Sequence, residues 1–436
     1  MKRPAKANGR VAYLNARLLD PESGLDAPGA LLTEGARIAD FGPGLFAEGA
    51  PEGVESIDCG GHCLAPGLVD MRVQLREPGE EHKETIKSAS LAAAAGGVTS
   101  MVALPNTEPV VDDVAGVEYI ARRAREVKLV KIYTYGSVTR GLEGEEIIEI
   151  GLLSDFGALG FTDGTKAVAS ARVMSRALSY AKTFGRPIIQ HPEEPSLARG
   201  VMNAGELATR LGLAGIPDTA EIIMLERDLR LVEMTGGRYH AAHLSSAKSV
   251  EAIRDAKARG LPVTCDTAPH YFTLNETAVG DYRTFAQVSP PLRREEDRAV
   301  IAEAVADGTV DVVASDHSPH DADSKRLPFA MADFGVVGLE SLLPLTLELA
   351  HKGTTSLLEA LARVTCAPAQ VLGLAAGRLA KGAPADLILF DPDKPRMLDP
   401  DSFLSKSKNS PFEDHPVQGK VLRTVVDGRP IFLAED

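Results

Sequence analysis

His191 ends the run GRPIIQH, His243 ends GRYHAAH and Asp316 stands one residue before the end of VDVVASDH. Two imidazoles and a carboxylate can bind a divalent metal and handle the proton of a metal-bound water. They can equally hydrogen-bond one another in a polar pocket. Asp316 has a choice of roles, metal ligand or proton acceptor. A second group lies in PGLVDMRVQLREPG (66–79), where Arg72, Gln74 and Arg76 recur every second residue. On a strand that spacing points all three side chains the same way. A guanidinium stays protonated, so Arg72 repels a cation, and Gln74 is at best a weak neutral donor to one. Arg76 can grip a carboxylate with two parallel hydrogen bonds, or pair locally with Glu77 or Glu80.

These residues need a frame that brings strand ends together. Short apolar runs alternate with amphipathic segments from 67 to 372: GLVDMRVQL, VTSMVALPN, KIYTYGSV, GRPIIQH, GRYHAAHL, LPVTCDTAP and VDVVASDH, most followed by a helical pattern such as VAGVEYIARRAREV. This alternation predicts an α/β fold, a (β/α)8 TIM barrel over 67–372, with a doubly wound sheet as the alternative. In a barrel the chemistry sits at the C-terminal strand ends. His191, His240, His243, His270, His317 and His320 all fall at or just after such ends, which points to a shared site. The β-type runs of residues 10–66 and those at 385–391 and 421–432 predict one composite β-sandwich domain from both chain ends, 1–66 with 373–436.

A chain of 436 residues suits one large domain and one smaller one. Its net charge of −14 argues against a nucleic-acid or anionic-membrane partner and leaves room for a small anionic ligand in a locally basic pocket. Cys59, Cys63, Cys265 and Cys366 are too few for a disulfide framework and read as small core residues. The N-terminus has no apolar run of signal-peptide length, and no later stretch is long enough to cross a membrane, so a cytoplasmic protein is expected.

The motifs PGLVDMRVQLREPG, AAAAGGVTSMVALPNTEP (92–109), GFTDG (160–164), QHPEE (190–194), HAAHLSS (240–246), VSPPLR (288–293), ASDHSPH (314–320), FGVVGLES (334–341) and SKNSPFED (407–414) match as an ordered set. Through them the chain resembles the dihydroorotase family of the amidohydrolase superfamily, in its bacterial long form. The resemblance implies a metal-bearing barrel that interconverts carbamoyl-aspartate and dihydroorotate in pyrimidine synthesis. It places His191 and His243 at metal-ligand positions, Asp163 near the bridging position, Asp316 as catalytic aspartate, and Arg76, Asn106 and His320 on the substrate carboxylate.

Several positions depart from the family pattern. Arg72 and Gln74 stand where the first strand carries His-x-His, Asp163-Gly164 stands for Asp-Asp-Gly, Ser289 replaces an asparagine, and Tyr271 replaces a second histidine. The expected cofactor is therefore one zinc ion or none. Arg72 is expected to replace the first metal electrostatically by pairing with Asp316 or Asp163. Two functions follow. One is a dihydroorotase or hydantoinase- or allantoinase-like amidohydrolase on a single metal. The other, preferred, is a chain of lost or much reduced activity that serves as a non-catalytic partner of aspartate transcarbamoylase, as the resemblance to metal-deficient family members implies. A homo-oligomer is expected, and a scaffold with a vestigial ligand pocket is the third alternative.

Overall fold

In the computed structural model, which describes residues 9–435, the chain opens with β1 (Arg10–Asp20), β2 (Leu25–Glu34) and β3 (Arg37–Gly42), paired antiparallel in sequence order. Strands β4 (Glu55–Asp58) and β5 (Cys63–Pro66) return alongside β1 in parallel. The part of the N-terminal reading that concerns residues 1–8 lies outside the described residues.

The barrel follows. Its strands are β6 (Leu68–Val73), β7 (Val98–Ala103), β8 (Lys131–Thr134) and β9 (Ile188–Gln190). After a short parallel pair, β10 (Met202–Asn203) with β11 (Gly215–Ile216), come β12 (Tyr239–Ala241), β13 (Val263–Thr267) and β14 (Val312–Val313). Two parallel sheets, β6-β7-β8 and β9-β12-β13-β14, are joined into a closed ring by isolated parallel bridges. Phe161 bridges Gly136 on one side and Ile188 on the other, which makes it the fourth strand, and Val73 pairs with His317 to close the circle. Seven of the strands are legible as apolar runs. The fourth is not, because GALGFTDG is interrupted by glycines and contributes a single paired position.

Strands β6 and β7 are buried along their whole length, as strands covered on both faces must be. Leu68 and Val73 face the helix layer with Ile86, Ala89 and Ala93, while Val69 and Met71 fill the barrel interior with Val102, Tyr135 and Ile189. The pairing of β6 with β7 slips between Asp70 and Val73. This irregularity shifts the two-residue alternation, so Met71 packs in the interior and Arg72, the next residue, still reaches the mouth. Gln74 lies just past the strand, and its backbone N–H donates to His317 O at 2.9 Å, which keeps the first and last strand ends in register.

Helices follow most of the strands. Thr85 caps the helix Ile86–Ala95 reciprocally with Ser88, and Asp113 caps Val114–Val127 through Gly116 N–H. The chain ends come together as expected. Strand β15 (Leu387–Met397) lies antiparallel to β5, pairing Leu387 with Pro66 and Phe390 with Cys63, and is extended by β16 (Pro416–Val426) and β17 (Arg429–Leu433). All four cysteines are free and buried. Among the described residues no helix is long and apolar enough to cross a membrane.

Candidate active site

Arg72 is the largest fully buried side chain of the mouth, 2% exposed, and its Nε donates to Asp316 Oδ1 at 2.8 Å. From Asp316 a chain of contacts continues across the barrel. Asp316 Oδ2 lies 3.1 Å from His243 Nδ1, His243 Nε2 lies 2.7 Å from His191 Nδ1, and His191 Nε2 lies 3.1 Å from Glu193 Oε2. Ser289 Oγ donates to that same Glu193 oxygen at 2.6 Å. The proton positions follow from the acceptors at each end. A carboxylate at Asp316 requires N–H at His243 Nδ1, so neutral His243 accepts at Nε2, and His191 donates from Nδ1. His191 Nε2 then meets a carboxylate that also can only accept, so one further proton is shared between His191 and Glu193. With Arg72 charged, the chain is neutral overall.

The other expected ligand-holding residues gather at the rim. Gln74 Nε2 donates to Ser318 Oγ, and Gln74 Oε1 accepts from Asn106 Nδ2 at 3.0 Å, so the glutamine amide ties Asn106 to the last strand's loop. Arg76 is buried, with Nε on Pro319 O at 3.1 Å, Nη1 on Glu80 at 2.8 Å and Nη2 at 3.0 Å from His320 Nε2. The local pairing with Glu80 thus exists beside the contact to His320, and Glu77 instead accepts from Arg123. His320 Nε2 lies between the Arg76 donor and the Phe334 carbonyl oxygen, 2.8 Å away, while Nδ1 faces Asp333 at 3.0 Å.

Two expectations need correction, and a third is resolved. Asp163 does not join the imidazoles: its carboxylate accepts from Val138 N–H, Thr139 N–H and the Thr139 hydroxyl, and it fastens the loop after β8. His240 is spent on Thr264 and Asp266, and His317 accepts from Gly338 N–H beside Glu84, so the histidines do not form one cluster. Of the two acids offered to Arg72, Asp316 is the partner. The residues that sequence reasoning passed over are Glu193, Ser318 and Thr139. Glu193 stands two residues after His191 in QHPEE, a spacing that is visible in the sequence but points at nothing without a fold.

A metal centre of the family type does not fit these residues. Among the described residues no group of three or more His, Cys, Asp or Glu is arranged to hold an ion. The reasons are local. The Arg72 guanidinium occupies the first ligand position, the Gln74 amide is used on both sides, Asp163 is saturated, and the two imidazoles are joined to each other by a proton.

Burial raises the Asp316 carboxyl, but the neighbouring His243 and Arg72 outweigh it and hold Asp316 well below the usual carboxylate range. Burial first, then the Arg72 charge, lowers His243 to about 4 against the pull of Asp316, and burial lowers His270 to about 4. In the unfolded chain these histidines bind protons near pH 6.5, so between about pH 6.5 and 4 the unfolded state holds more protons than the folded one. Stability therefore falls as the pH is lowered across that window, by at most about 1.4 kcal/mol per pH unit for each histidine. Asp316 adds a loss of the same sign below about pH 4. Thermal melting at pH 7, 6, 5 and 4 should show a steady decline beginning below pH 6.5, and a flat profile down to pH 4.5 contradicts these burial effects.

The barrel with a β-sandwich built from both chain ends, and the mouth carrying His191, His243 and Asp316, define the chain as an amidohydrolase by architecture. Solved structures agree: the chain is similar to an L-hydantoinase (dihydropyrimidinase) from Arthrobacter aurescens, with a TM-score of 0.86 at 25% identity over 98% of this chain and 96% of that one. It also resembles a dihydropyrimidinase from Brevibacillus agri, with a TM-score of 0.82 at 22% identity over 97% and 94%. Residues 61–249 match the family model described as dihydro-orotase-like. Proteins called dihydroorotase from Anaplasma phagocytophilum and Pelobacter propionicus are 48% and 45% identical, covering 98% and 96% of this chain and 96% and 98% of theirs. The chain belongs to the dihydroorotase family.

Proposed function

We propose that this chain is a dihydroorotase-family protein that has lost its hydrolytic activity while keeping a pocket for a dihydroorotate- or carbamoyl-aspartate-like anion. In this reading it is a cytoplasmic, non-catalytic partner of aspartate transcarbamoylase in pyrimidine synthesis. The observation that carries the loss of activity is the 2.8 Å ion pair between Arg72 and Asp316. Ring opening needs a nucleophilic water and a base to deprotonate it. Asp316 is the residue at the base position, and a carboxylate held well below its usual range is a poor proton acceptor. Arg76, Asn106 and His320 remain at the rim, where a carboxylate could exchange with Glu80 for the Arg76 guanidinium.

The competing reading, hydrolysis on a single zinc, is favoured by the convergence of His191 Nδ1 and His243 Nε2, by Asp316 and the Arg76, Asn106 and His320 group, and by the similarity to proteins called dihydroorotase. For the partner role, the segment between His320 and Asp333, which holds helical turns at Ala322–Lys325 and Phe329–Met331, leaves Leu327 and Met331 exposed. Co-expression with the aspartate transcarbamoylase chain of the same cell is expected to give one complex on size-exclusion chromatography, with transcarbamoylase activity that drops when this chain is omitted. Separate elution with undiminished activity contradicts the partner role.

A further inference from the structure

Gln287 is 1% exposed, yet neither its Oε1 nor its Nε2 has a hydrogen-bond partner. Burying a primary amide with both ends unmatched is among the less favourable things a fold can do, and such a group is normally paired. The backbone fixes where this one lies. Gln287 O accepts from Gly335 N–H at 2.9 Å, and Gly335 packs so closely on Ser318 that an added Cβ would sit 2.6 Å from the Ser318 Cβ. Asn409 Nδ2 donates to both Ser318 O and Gly335 O. Ser318 in turn holds Gln74, and Ser289, two residues after Gln287, holds Glu193 and through it His191. The backbone of Gln287 is therefore tied to one arm of the mouth through Gly335 and runs into the other through Ser289. The mouth has other buried atoms without partners, Arg72 Nη1, His270 Nε2 and Glu193 Oε1.

A side-chain amide presents an acceptor and a donor side by side in one plane. Its complement is a cis amide, in which N–H and C=O also lie side by side, and a ring forces an amide into the cis form. We propose that Gln287 is a specificity-determining residue that reads the amide edge of a cyclic ureide, with Oε1 accepting from the ring N–H and Nε2 donating to the ring C=O. This rests on the reading above that the mouth binds a dihydroorotate-like ligand, and adds the contact by which a ligand with an amide edge is told from a plain carboxylate. Ring-opened carbamoyl-aspartate gains a second carboxylate and still offers such an edge at its terminal carbamoyl group, whereas succinate has two carboxylates and no amide.

The test uses the full chain and its Gln287→Met variant, similar in length but without hydrogen-bonding groups, with the two amide compounds L-dihydroorotate and carbamoyl-aspartate, and succinate as the amide-free control, titrated by calorimetry. Dihydroorotate and carbamoyl-aspartate should bind about 10- to 100-fold more weakly to the variant, and succinate equally to both. Without ligand the variant should melt at or above the wild-type temperature, since an unmatched buried amide has been removed. Undiminished dihydroorotate affinity overturns the inference alone. So does a ligand-free melting temperature several degrees below wild type, which would mark an amide already bonded to buried water. Failure of the wild-type chain to bind either amide compound overturns the ligand reading and this inference together.

Discussion

Replacing Arg72 by methionine should destabilise the folded chain by about 3 to 5 kcal/mol, the usual consequence of removing one partner of a buried ion pair. The substitution would leave Asp316 ionised and nearly buried, with only His243 as a hydrogen-bond partner, and would leave Gly164 O without the Nη2 donor now 3.2 Å away. The packing change is modest, because the methionine chain follows most of the arginine stem. What is lost is the charge that permits a carboxylate at that place. The double variant Arg72→Met with Asp316→Asn should recover most of the loss, since a neutral amide needs no counter-charge. Urea denaturation of wild type, both single variants and the double variant gives the coupling directly. A coupling below about 1 kcal/mol, of the size found for exposed pairs, would mean that Arg72 does not stand in for a metal at Asp316.

The barrel is legible in the sequence because its strands are buried on both faces and read as apolar runs, with helix caps such as Thr85 and Asp113 between them. The strand around Phe161 is not, since one paired position among glycines leaves no periodicity. At the site, the alternation of Arg72, Gln74 and Arg76 locates three inward side chains, although the register slip in β6 that keeps Arg72 at the mouth cannot be read from residue types. Residue types narrow the partner of Arg72 to two acids, and only the fold shows that Asp163 is already saturated by Val138 and Thr139. His240 and His243 are three residues apart and look alike in the sequence. One is fixed by Thr264 and Asp266 and the other faces Asp316, a difference that depends on neighbours from other strands. Glu193 and Gln287 are hidden for the same reason. Nothing in QHPEE or AQVSPPLR shows that one carboxylate ends a hydrogen-bonded chain and that one amide is buried without partners.

The second large effect concerns turnover. A metal-bound water has its pKa lowered from about 15.7 towards 7, and without that help a hydrolase must deprotonate ordinary water with a side-chain base. General-base assistance contributes typically about 100- to 10,000-fold, and most when the base titrates near the working pH. Asp316, paired with Arg72 and His243, is far from that condition. Restoring the first strand by Arg72→His with Gln74→His would remove the charge opposing a cation, but Asp163 would remain committed to Thr139 and Val138. The most direct measurement is therefore dihydroorotate ring opening by the purified wild-type chain in saturating zinc, with the bound metal quantified in the same sample. Less than about a tenth of a zinc ion per chain and no turnover above the buffer rate is the expected result, because neither a ligand set nor a competent base is present. Stoichiometric zinc together with turnover that rises and falls with metal content would contradict the account.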